Sequence, residues 1–193
     1  MPKHVDHGQR RREIARAAVR VLAREGLAGL SFRSLAAEMG GSLTLVTHYY
    51  STRDELLADI PAQMVLDWQE EVDALDLDPD PFVRLRNLLA WLLPTDADGF
   101  NEEVARFALV ASSEQEVPMK SVQDFDTYIR TLIRDHVQVL VSPDDLEVTV
   151  DLLRALTNGI TVHALTRPQE CPASRQLELL DAGMSSLIRQ PVV

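Results

Sequence analysis

A pair of glycines, Gly40-Gly41, interrupts residues 31–57 and constrains the fold of this chain more than any other feature. Ser31 precedes a short apolar stripe at helical spacing, as an N-cap residue does, and glycine readily adopts the left-handed conformation that ends a helix. Ser42 stands where it can cap a second short helix directly after the glycines. Two short helices around a tight turn predict a helix-turn-helix, whose second helix enters the major groove of DNA.

Length and pattern indicate the class of fold. The chain has 193 residues, of which 46% are hydrophobic, so it can bury one substantial core or one core beside a small module. Apolar residues recur at helical spacing, and no alternating strand pattern of useful length occurs. We predict an all-α protein of about nine helices, with a three-helix helix-turn-helix domain over residues 1–52 and a larger helical domain over residues 53–193.

Cysteine content and the short apolar runs predict the compartment. Cys171 is the single cysteine, so an intramolecular disulfide is excluded. The longest apolar runs, 88–94 and 137–141, are far below the ~20 residues that span a membrane. The N-terminal residues carry charges where a signal peptide needs an apolar segment. We therefore expect a cytoplasmic protein with no membrane partner.

The net charge of −11 is unevenly distributed along the chain. Residues 1–53 hold nine Lys/Arg and four Asp/Glu, a net +5, whereas the remainder holds ten and 26, a net −16. Arg10, Arg11 and Arg12 lie in the first turns of the predicted first helix, where positive charge opposes the helix dipole. A basic N-terminal region on an acidic body favours DNA contact at that end, although an ordinary solvated basic helix would have the same charge.

The motif also resembles the N-terminal signature of a known family. Across 27 residues, without a gap, the chain is similar to the TetR (tetracycline-repressor-like) family of bacterial transcriptional regulators. The matching residues are Ser31, Arg33, Leu35, Ala36, Gly40, Ser42, Val46, Tyr49, Tyr50, Thr52, Arg53, Asp54, Glu55 and Leu56. The resemblance implies a nucleoid-associated repressor that binds an inverted-repeat DNA operator as a homodimer, is released by a small-molecule effector and needs no cofactor.

Motif and resemblance together indicate which residues meet DNA. The groove of the DNA should be met by Leu43, Thr44, Leu45, Thr47 and His48. Phosphates should be met by Arg10, Arg11, Arg12, Ser31, Arg33, Ser42, Thr47, Tyr49 and Arg53. Arg53 occupies the position where the family usually has a phosphate-contacting lysine, at the start of the fourth helix, and helix N-termini favour phosphate.

The recognition helix departs from the family pattern. The usual Lys-Gly-Thr is Leu43-Thr44-Leu45 here, and the usual tyrosine is Thr47. Leucines can read only apolar features of the groove, chiefly the thymine methyl group. The alternative is that one of the two leucines packs back against the first helix. Gly41 replaces an apolar turn residue and should loosen the turn.

The resemblance assigns dimerisation and effector binding to residues 53–193. The dimer interface is expected on the last two helices, at Leu152, Ala155, Leu156, Gly159, Ile160, Met184, Leu187 and Ile188. A mostly apolar effector pocket is expected between the middle helices, with candidate residues Trp68, Trp91, Arg106, Phe107, Phe125, Tyr128, Asn158 and His163. Ordinary core packing or surface exposure is the alternative for each of these eight.

Two other classes compete with a regulator. An all-α enzyme would need a catalytic or metal motif, and the chain has no Glu-x-x-His, HExxH, GxSxG or phosphate loop. We therefore expect no metal site and no enzymatic activity. The second alternative, an interaction protein that has the fold without specific DNA binding, is suggested by the missing lysine.

Overall fold

The computed structural model describes residues 7–75, 77–111 and 116–188, and the regular structure within these ranges is entirely helical. Its nine helices are α1 (His7–Gly29), α2 (Phe32–Glu38), α3 (Leu43–Thr47), α4 (Arg53–Leu75), α5 (Pro81–Trp91), α6 (Ala97–Val110), α7 (Glu116–Val137), α8 (Leu146–Thr166) and α9 (Ala173–Leu187). None of these helices is long and apolar enough to cross a membrane. The prediction of an all-α fold of about nine helices is confirmed.

Helices α1 to α3 form the predicted helix-turn-helix. Gly26 interrupts α1 with a φ of 65°, and Gly40 ends α2 with a φ of 61°, both in the left-handed region that favours glycine. Ser31 caps α2 by accepting from the backbone N–H of Ser34, whose hydroxyl accepts from the N–H of Ser31 in return. Ser42 stands at the N-cap of α3, but its hydroxyl makes no cap hydrogen bond, contrary to the sequence-based expectation.

The start of α4 is fixed by a second reciprocal cap. The hydroxyl of Thr52 accepts from the backbone N–H of Glu55 at 3.1 Å. The carboxylate of Glu55 accepts from the N–H groups of Ser51 and Thr52, at 2.7 and 3.3 Å. A capping box is therefore present, and α4 then continues through Pro61.

The described chain divides into two compact units. Unit 1 comprises Met1–Glu71 with Asn101–Phe125, and unit 2 comprises Val72–Phe100 with Asp126–Val193. Unit 1 contains the helix-turn-helix and the first part of α4, whose Leu56 and Leu57 are fully buried. The core of unit 2 includes Leu85, Leu88, Leu89, Ile129, Ile133 and Leu153. A domain boundary at residue 52 stays a prediction.

Three ion pairs join α7 to α8 within unit 2. They link Asp126 to Arg154 at 2.8 Å, Arg134 to Glu147 at 2.7 Å, and Arg130 to Asp151. The residue numbers rise along α7 as they fall along α8, so the two helices run antiparallel.

Helices α8 and α9 pack closely. A Cβ added to Gly183 of α9 would lie 2.5 Å from a methyl group of Leu156, so a larger residue there would require the side chain of Leu156 to move. Leu156, a predicted dimer-interface residue, is therefore partly occupied within the protomer.

The starts of α7 and α8 each lie near a proline. Helix α8 begins at Leu146, after a turn in which the hydroxyl of Ser142 donates to the carboxylate of Asp145 at 2.7 Å. Val117 and Pro118 lie in the first turn of α7. Proline is tolerated there, since the first N–H groups of a helix have no intrahelical partner.

Candidate nucleic-acid interface

Helix α3 presents one face to solvent and buries the other. Leu43 is 49% exposed, and Thr44, Thr47 and His48 are exposed as well. On the inner face, Val46 is fully buried. The hydroxyl of Thr44 has no hydrogen-bond partner in the part of the chain that the structure describes, and that of Thr47 makes only a 3.5 Å contact to the carbonyl of Thr44. These four side chains therefore form the outward surface of the recognition helix.

Leu45 does not share that surface fully. It is half-buried, and a Cβ added to Gly41 would stand 3.3 Å from its Cδ1 atom. The side chain of Leu45 thus lies over the turn, where Gly41 leaves room for it. Of the two leucines expected at the groove, Leu43 is the one that faces outward, and Leu45 packs back on the turn.

Three rings meet beside the end of α3. The ring centroids of His48 and Tyr49 are 5.1 Å apart in a T-shaped arrangement. His7, in the first turn of α1, lies 6.0 Å from His48 and 5.6 Å from Tyr49. Sequence reasoning missed His7, because no spacing rule connects the first turn of α1 with the recognition helix.

The predicted phosphate ligands of α1 have carboxylate partners within unit 1. Arg10 pairs with Glu13 at 2.5 Å. Arg11 reaches Asp59 of α4 at 3.5 Å, and Arg12 reaches Asp67 of α4 at 3.6 Å. Arg16, which also contacts Asp67 at 2.7 Å, is held by the same helix. Since these carboxylates are partly or mostly buried, much of the positive charge of α1 is compensated within the protein.

The remaining arginines of the helix-turn-helix fall into two groups. Arg20 and Arg24 both bind the carboxylate of Glu38 on α2, at 2.7 and 3.0 Å. Hydrogen bonds from Arg20 and then from Arg24 hold the pKa of Glu38 below its ordinary value. Arg33, in contrast, is exposed and has no carboxylate partner among the described residues. It is thus the best-placed cation of this region for a phosphate.

Arg53 does not occupy the position expected of a phosphate ligand. Its guanidinium turns inward and donates to the backbone carbonyl of Leu27, and its Nε is buried without a hydrogen-bond partner among the described residues. Leu27 directly follows the break at Gly26, and its carbonyl also accepts from the backbone N–H of Leu30 at 3.2 Å. Arg53 therefore ties the end of α1 to the start of α4, and its phosphate contact stays a prediction.

The two serines of the predicted phosphate set differ. The hydroxyl of Ser31 is engaged in the cap of α2. That of Ser42 is exposed and makes no cap hydrogen bond. Ser42 can therefore donate to a phosphate without giving up a cap.

Unit 1 has a surface cleft of about 340 Å³. Its lining residues are Arg11, Tyr49, Tyr50, Glu55, Ala58 and Asp59. Burial first, and hydrogen bonding to Asp59 second, raise the pKa of Tyr50. The phenol is therefore a stable hydrogen-bond donor at neutral pH.

The predicted effector-site residues are divided between the two units. Unit 1 holds Trp68, Arg106, Phe107 and Phe125, and unit 2 holds Trp91, Tyr128, Asn158 and His163. In unit 1, Trp68 and Phe125 form a T-shaped pair at 5.4 Å, and the guanidinium of Arg106 lies 4.5 Å over the ring of Phe107. These are packing contacts, in keeping with the alternative of ordinary packing.

Tyr128 differs from the rest of that set. Its hydroxyl is buried and has no hydrogen-bond partner within the described ranges. Burial, with a smaller contribution from Asp73, raises the pKa of this phenol. A buried donor without a partner is costly unless something supplies an acceptor, so Tyr128 remains the strongest candidate polar contact in unit 2.

The predicted interface residues of α8 and α9 separate by burial. Leu152, Ala155 and Gly159 are exposed, and Leu156 and Leu187 are half-buried. The remaining three, Ile160, Met184 and Ile188, are buried inside the protomer. Ile160, Met184 and Ile188 therefore belong to the core of unit 2, because a side chain that is buried within the protomer cannot contact a partner subunit.

Two further residues of α8 are exposed and apolar. Val148 and Val162 continue the line of Leu152, Ala155 and Gly159 along one face of the helix. Their alternating spacing of four and three residues could have revealed them in the sequence.

As to metal sites, the described residues contain no group of three His, Cys, Asp or Glu side chains that could hold an ion.

An all-α chain with an outward-facing recognition helix belongs to the helix-turn-helix class of DNA-binding proteins. Residues 81–189 match the family model described as the C-terminal domain of BetI-type transcriptional repressors. The chain is also 32% identical over 175 residues to the HTH-type transcriptional regulator PksA of Bacillus subtilis (strain 168), covering 87% of this chain and 84% of that one. This protein belongs to the TetR family and is a DNA-binding transcriptional regulator rather than an enzyme.

Solved structures share the fold over nearly the full length. A transcriptional regulator from Rhodococcus sp. Rha1 is 24% identical with a TM-score of 0.79, over 92% of this chain and 95% of that one. The multidrug binding protein EbrR, complexed with ethidium, is 25% identical with a TM-score of 0.63, over 95% and 99%. The predicted family, fold and class of function are confirmed.

Proposed function

We propose that this regulator binds an inverted-repeat DNA operator as a homodimer, represses transcription there, and is released by a small molecule bound in its helical body. The observation that carries the proposal is the outward face of α3, where an apolar side chain and three hydrogen-bonding ones are exposed together. Such a surface suits base edges in the major groove. The site of action would be the cytoplasmic nucleoid.

In this proposal, the outward face of α3 reads the bases. Leu43 contacts thymine methyl groups, and Thr44, Thr47 and His48 exchange hydrogen bonds with base edges. Arg33, Ser42 and Tyr49 contact phosphates and fix the register on the duplex.

The arginines of α1 contribute less directly. Arg10, Arg11 and Arg12 would contact phosphates with a charge that their carboxylate partners already compensate in part. Their main contribution to binding is therefore the long-range attraction of positive charge for DNA.

The dimer is proposed to form on the exposed line of α8. Val148, Leu152 and Val162 are 53%, 45% and 41% exposed, which is unusual for large apolar side chains. Between them, Ala155 and Gly159 are small, and a Cβ added to Gly159 would meet nothing within 4 Å. A partner helix could approach closely at that point. A two-fold dimer also provides the two recognition helices that an inverted repeat needs.

A matched pair of substitutions tests this interface. Leu152→Glu would place a charge in the proposed contact and should give a monomeric mass by light scattering at micromolar concentration. Val139→Glu is the control, because Val139 is 65% exposed but lies outside α8. Equal masses for the two variants would contradict the proposed interface.

The effector is proposed to be a mostly apolar molecule with one hydrogen-bond acceptor. The buried hydroxyl of Tyr128, which has no partner in the described chain, would donate to that acceptor. EbrR, which has ethidium bound, offers a precedent for a planar aromatic ligand in a related protein. The ligand would favour a conformation with lower operator affinity, since it can shift the equilibrium only by binding one state better than the other.

Selection of bound sequences from random duplex tests the function itself. We expect an enriched inverted repeat, with affinity that falls steeply as salt rises through counterion release. Weak binding without any enriched repeat would contradict operator recognition. It would favour the alternative of an interaction protein without specific DNA binding.

A further inference from the structure

Three segments of unit 1 converge on the carboxylate of Asp59 in α4. The hydroxyl of Tyr50 donates to its Oδ2 atom at 2.5 Å, and Gln63 donates to its Oδ1 atom at 3.1 Å. Arg11 of α1 approaches the same Oδ2 atom at 3.5 Å and covers the ring of Tyr50 at 5.3 Å. One acidic side chain thus connects α1, α4 and the segment that follows the recognition helix.

Tyr50 is the link between this carboxylate and α3. It follows α3 by three residues, its N–H donates to the carbonyl of Val46 at 3.1 Å, and only 2% of its surface is exposed. Val46 is the buried residue of α3 itself. The side chains of Val46 and Tyr50 therefore anchor the inner face of the recognition helix.

A short helix depends on such anchors. Helix α3 has only five residues, fewer than two turns, so its own hydrogen bonds cannot hold it in place. Its N-cap hydroxyl makes no cap hydrogen bond either. A hydrogen bond to an ionised carboxylate is among the stronger ones available to a phenol.

We propose that Asp59 is a positioning residue for operator recognition, which orients the recognition helix through the hydroxyl of Tyr50 without touching DNA. The inference rests on the proposed operator binding and assigns a specificity role to a residue of the connecting helix. A misplaced α3 keeps its phosphate attraction but loses the alignment of its base contacts. Substitution of Asp59 should therefore reduce operator affinity more than nonspecific affinity.

Asp67 provides an internal control on the same helix. It lies eight residues further along α4, is mostly buried, and also pairs with arginines of α1, namely Arg12 and Arg16. In the described part of the chain, its carboxylate meets these two arginines and no residue of the segment after α3. Asp59→Ala and Asp67→Ala thus remove the same charge from the same helix and liberate arginines of the same partner helix, but only the first removes the acceptor of Tyr50.

The experiment compares affinities for the selected operator and for nonspecific duplex, at two salt concentrations. We expect Asp59→Ala and Tyr50→Phe each to lower the ratio of operator to nonspecific affinity by about tenfold, as loss of a charge-assisted hydrogen bond would. The double variant should lose no more than either single variant. Asp59→Asn, which keeps an acceptor for Tyr50, should recover most of the ratio, and Asp67→Ala should leave it unchanged.

Tyr50→Phe guards against a folding artefact, since it keeps the buried ring and removes one oxygen atom. An unchanged ratio in Tyr50→Phe, additive losses in the double variant, or an equal loss in Asp67→Ala would overturn the assignment. If the wild-type protein preferred no duplex, both the proposed operator binding and the role of Asp59 would be overturned. If the wild type selects an operator and only the variants behave otherwise than expected, the role of Asp59 alone is overturned.

Discussion

Helix α1 and helix α3 use their polar side chains in opposite ways. The arginines of α1 are numerous and bound: Arg12 and Arg16 share Asp67, while Arg20 and Arg24 share Glu38. Helix α3 has no arginine or lysine at all, and its threonines and the adjoining His48 are exposed. The helix that holds most of the charge therefore stabilises unit 1, and the helix without charge faces outward.

The contrast shows that the number of basic residues does not identify DNA contacts. An exposed ion pair contributes little stability, but it occupies both partners. A guanidinium bound to carboxylate has fewer N–H donors left for phosphate, and its charge is already partly compensated. What matters for DNA is which donors remain available, and Arg33 and Ser42 satisfy this condition better than the α1 arginines.

The largest expected effect is on the outward face of α3. Thr44→Ala and His48→Ala should each change the preferred operator sequence, because each substitution removes hydrogen bonds to base edges that are worth ~1–3 kcal/mol of discrimination. Competition binding with operator variants measures the change. Thr131→Ala is the control, because Thr131 is an exposed helical threonine of unit 2. If both α3 variants kept the wild-type preference, the outward face of α3 would not be the reading surface.

Substitution of Arg53 tests whether this inward-facing arginine contributes to stability or to DNA binding. Arg53→Ala should lower the free energy of unfolding by ~1–3 kcal/mol, because the carbonyl of Leu27 loses its charged donor and keeps only the N–H of Leu30. Denaturant unfolding measures this loss. The salt dependence of nonspecific DNA affinity should stay unchanged; a slope reduced by about one would instead restore the phosphate role.

The sequence predicts the helix caps and the glycine turn of the motif better than its long-range contacts. Ser31, Gly40 and the Thr52–Glu55 cap act through neighbours within a few residues, so spacing alone reveals them. The inward turn of Arg53 depends on the carbonyl of Leu27, which is 26 residues away. No local pattern encodes such a contact.

The same limit explains the interface residues. Met184 and Ile160 fit an apolar stripe as well as Leu152 does, yet they are buried within the protomer. Helical spacing tells which residues share a face. Only the packing of α9 on α8 decides which face is already covered.

Substitutions at Arg33 and Arg20 compare an arginine without a carboxylate partner among the described residues with one that is paired. Arg33→Ala should weaken binding to all duplexes about equally and reduce the salt slope by about one for each site. Arg20→Ala should change the slope less, because the guanidinium of Arg20 is engaged by Glu38 at 2.7 Å. Salt titration with nonspecific duplex measures both. Equal slopes in the two variants would mean that pairing to Glu38 does not withhold Arg20 from DNA.

The smallest expected effects concern Glu38, whose substitution should lower the stability of the protein but raise its affinity for DNA. Since Arg20 and Arg24 lower its folded pKa, ionised Glu38 contributes stability above its ordinary pKa of 4.5, and that contribution is lost as the pH falls through the folded value. Glu38→Gln should therefore be slightly less stable than wild type at neutral pH, by less than ~1 kcal/mol because both arginine partners are about half exposed, and the difference should shrink in acid. Denaturant unfolding at neutral and acidic pH measures both values.

The DNA affinity of Glu38→Gln should move the other way. Loss of the carboxylate frees Arg20 and leaves Arg24 paired with Glu25 alone, so nonspecific affinity at low salt should rise. Glu147→Gln makes the same charge change in unit 2, where Arg134 is the partner. A rise only in Glu38→Gln would show that internal pairing, rather than net charge, limits how strongly unit 1 attracts DNA. An equal rise in both variants would attribute it to net charge.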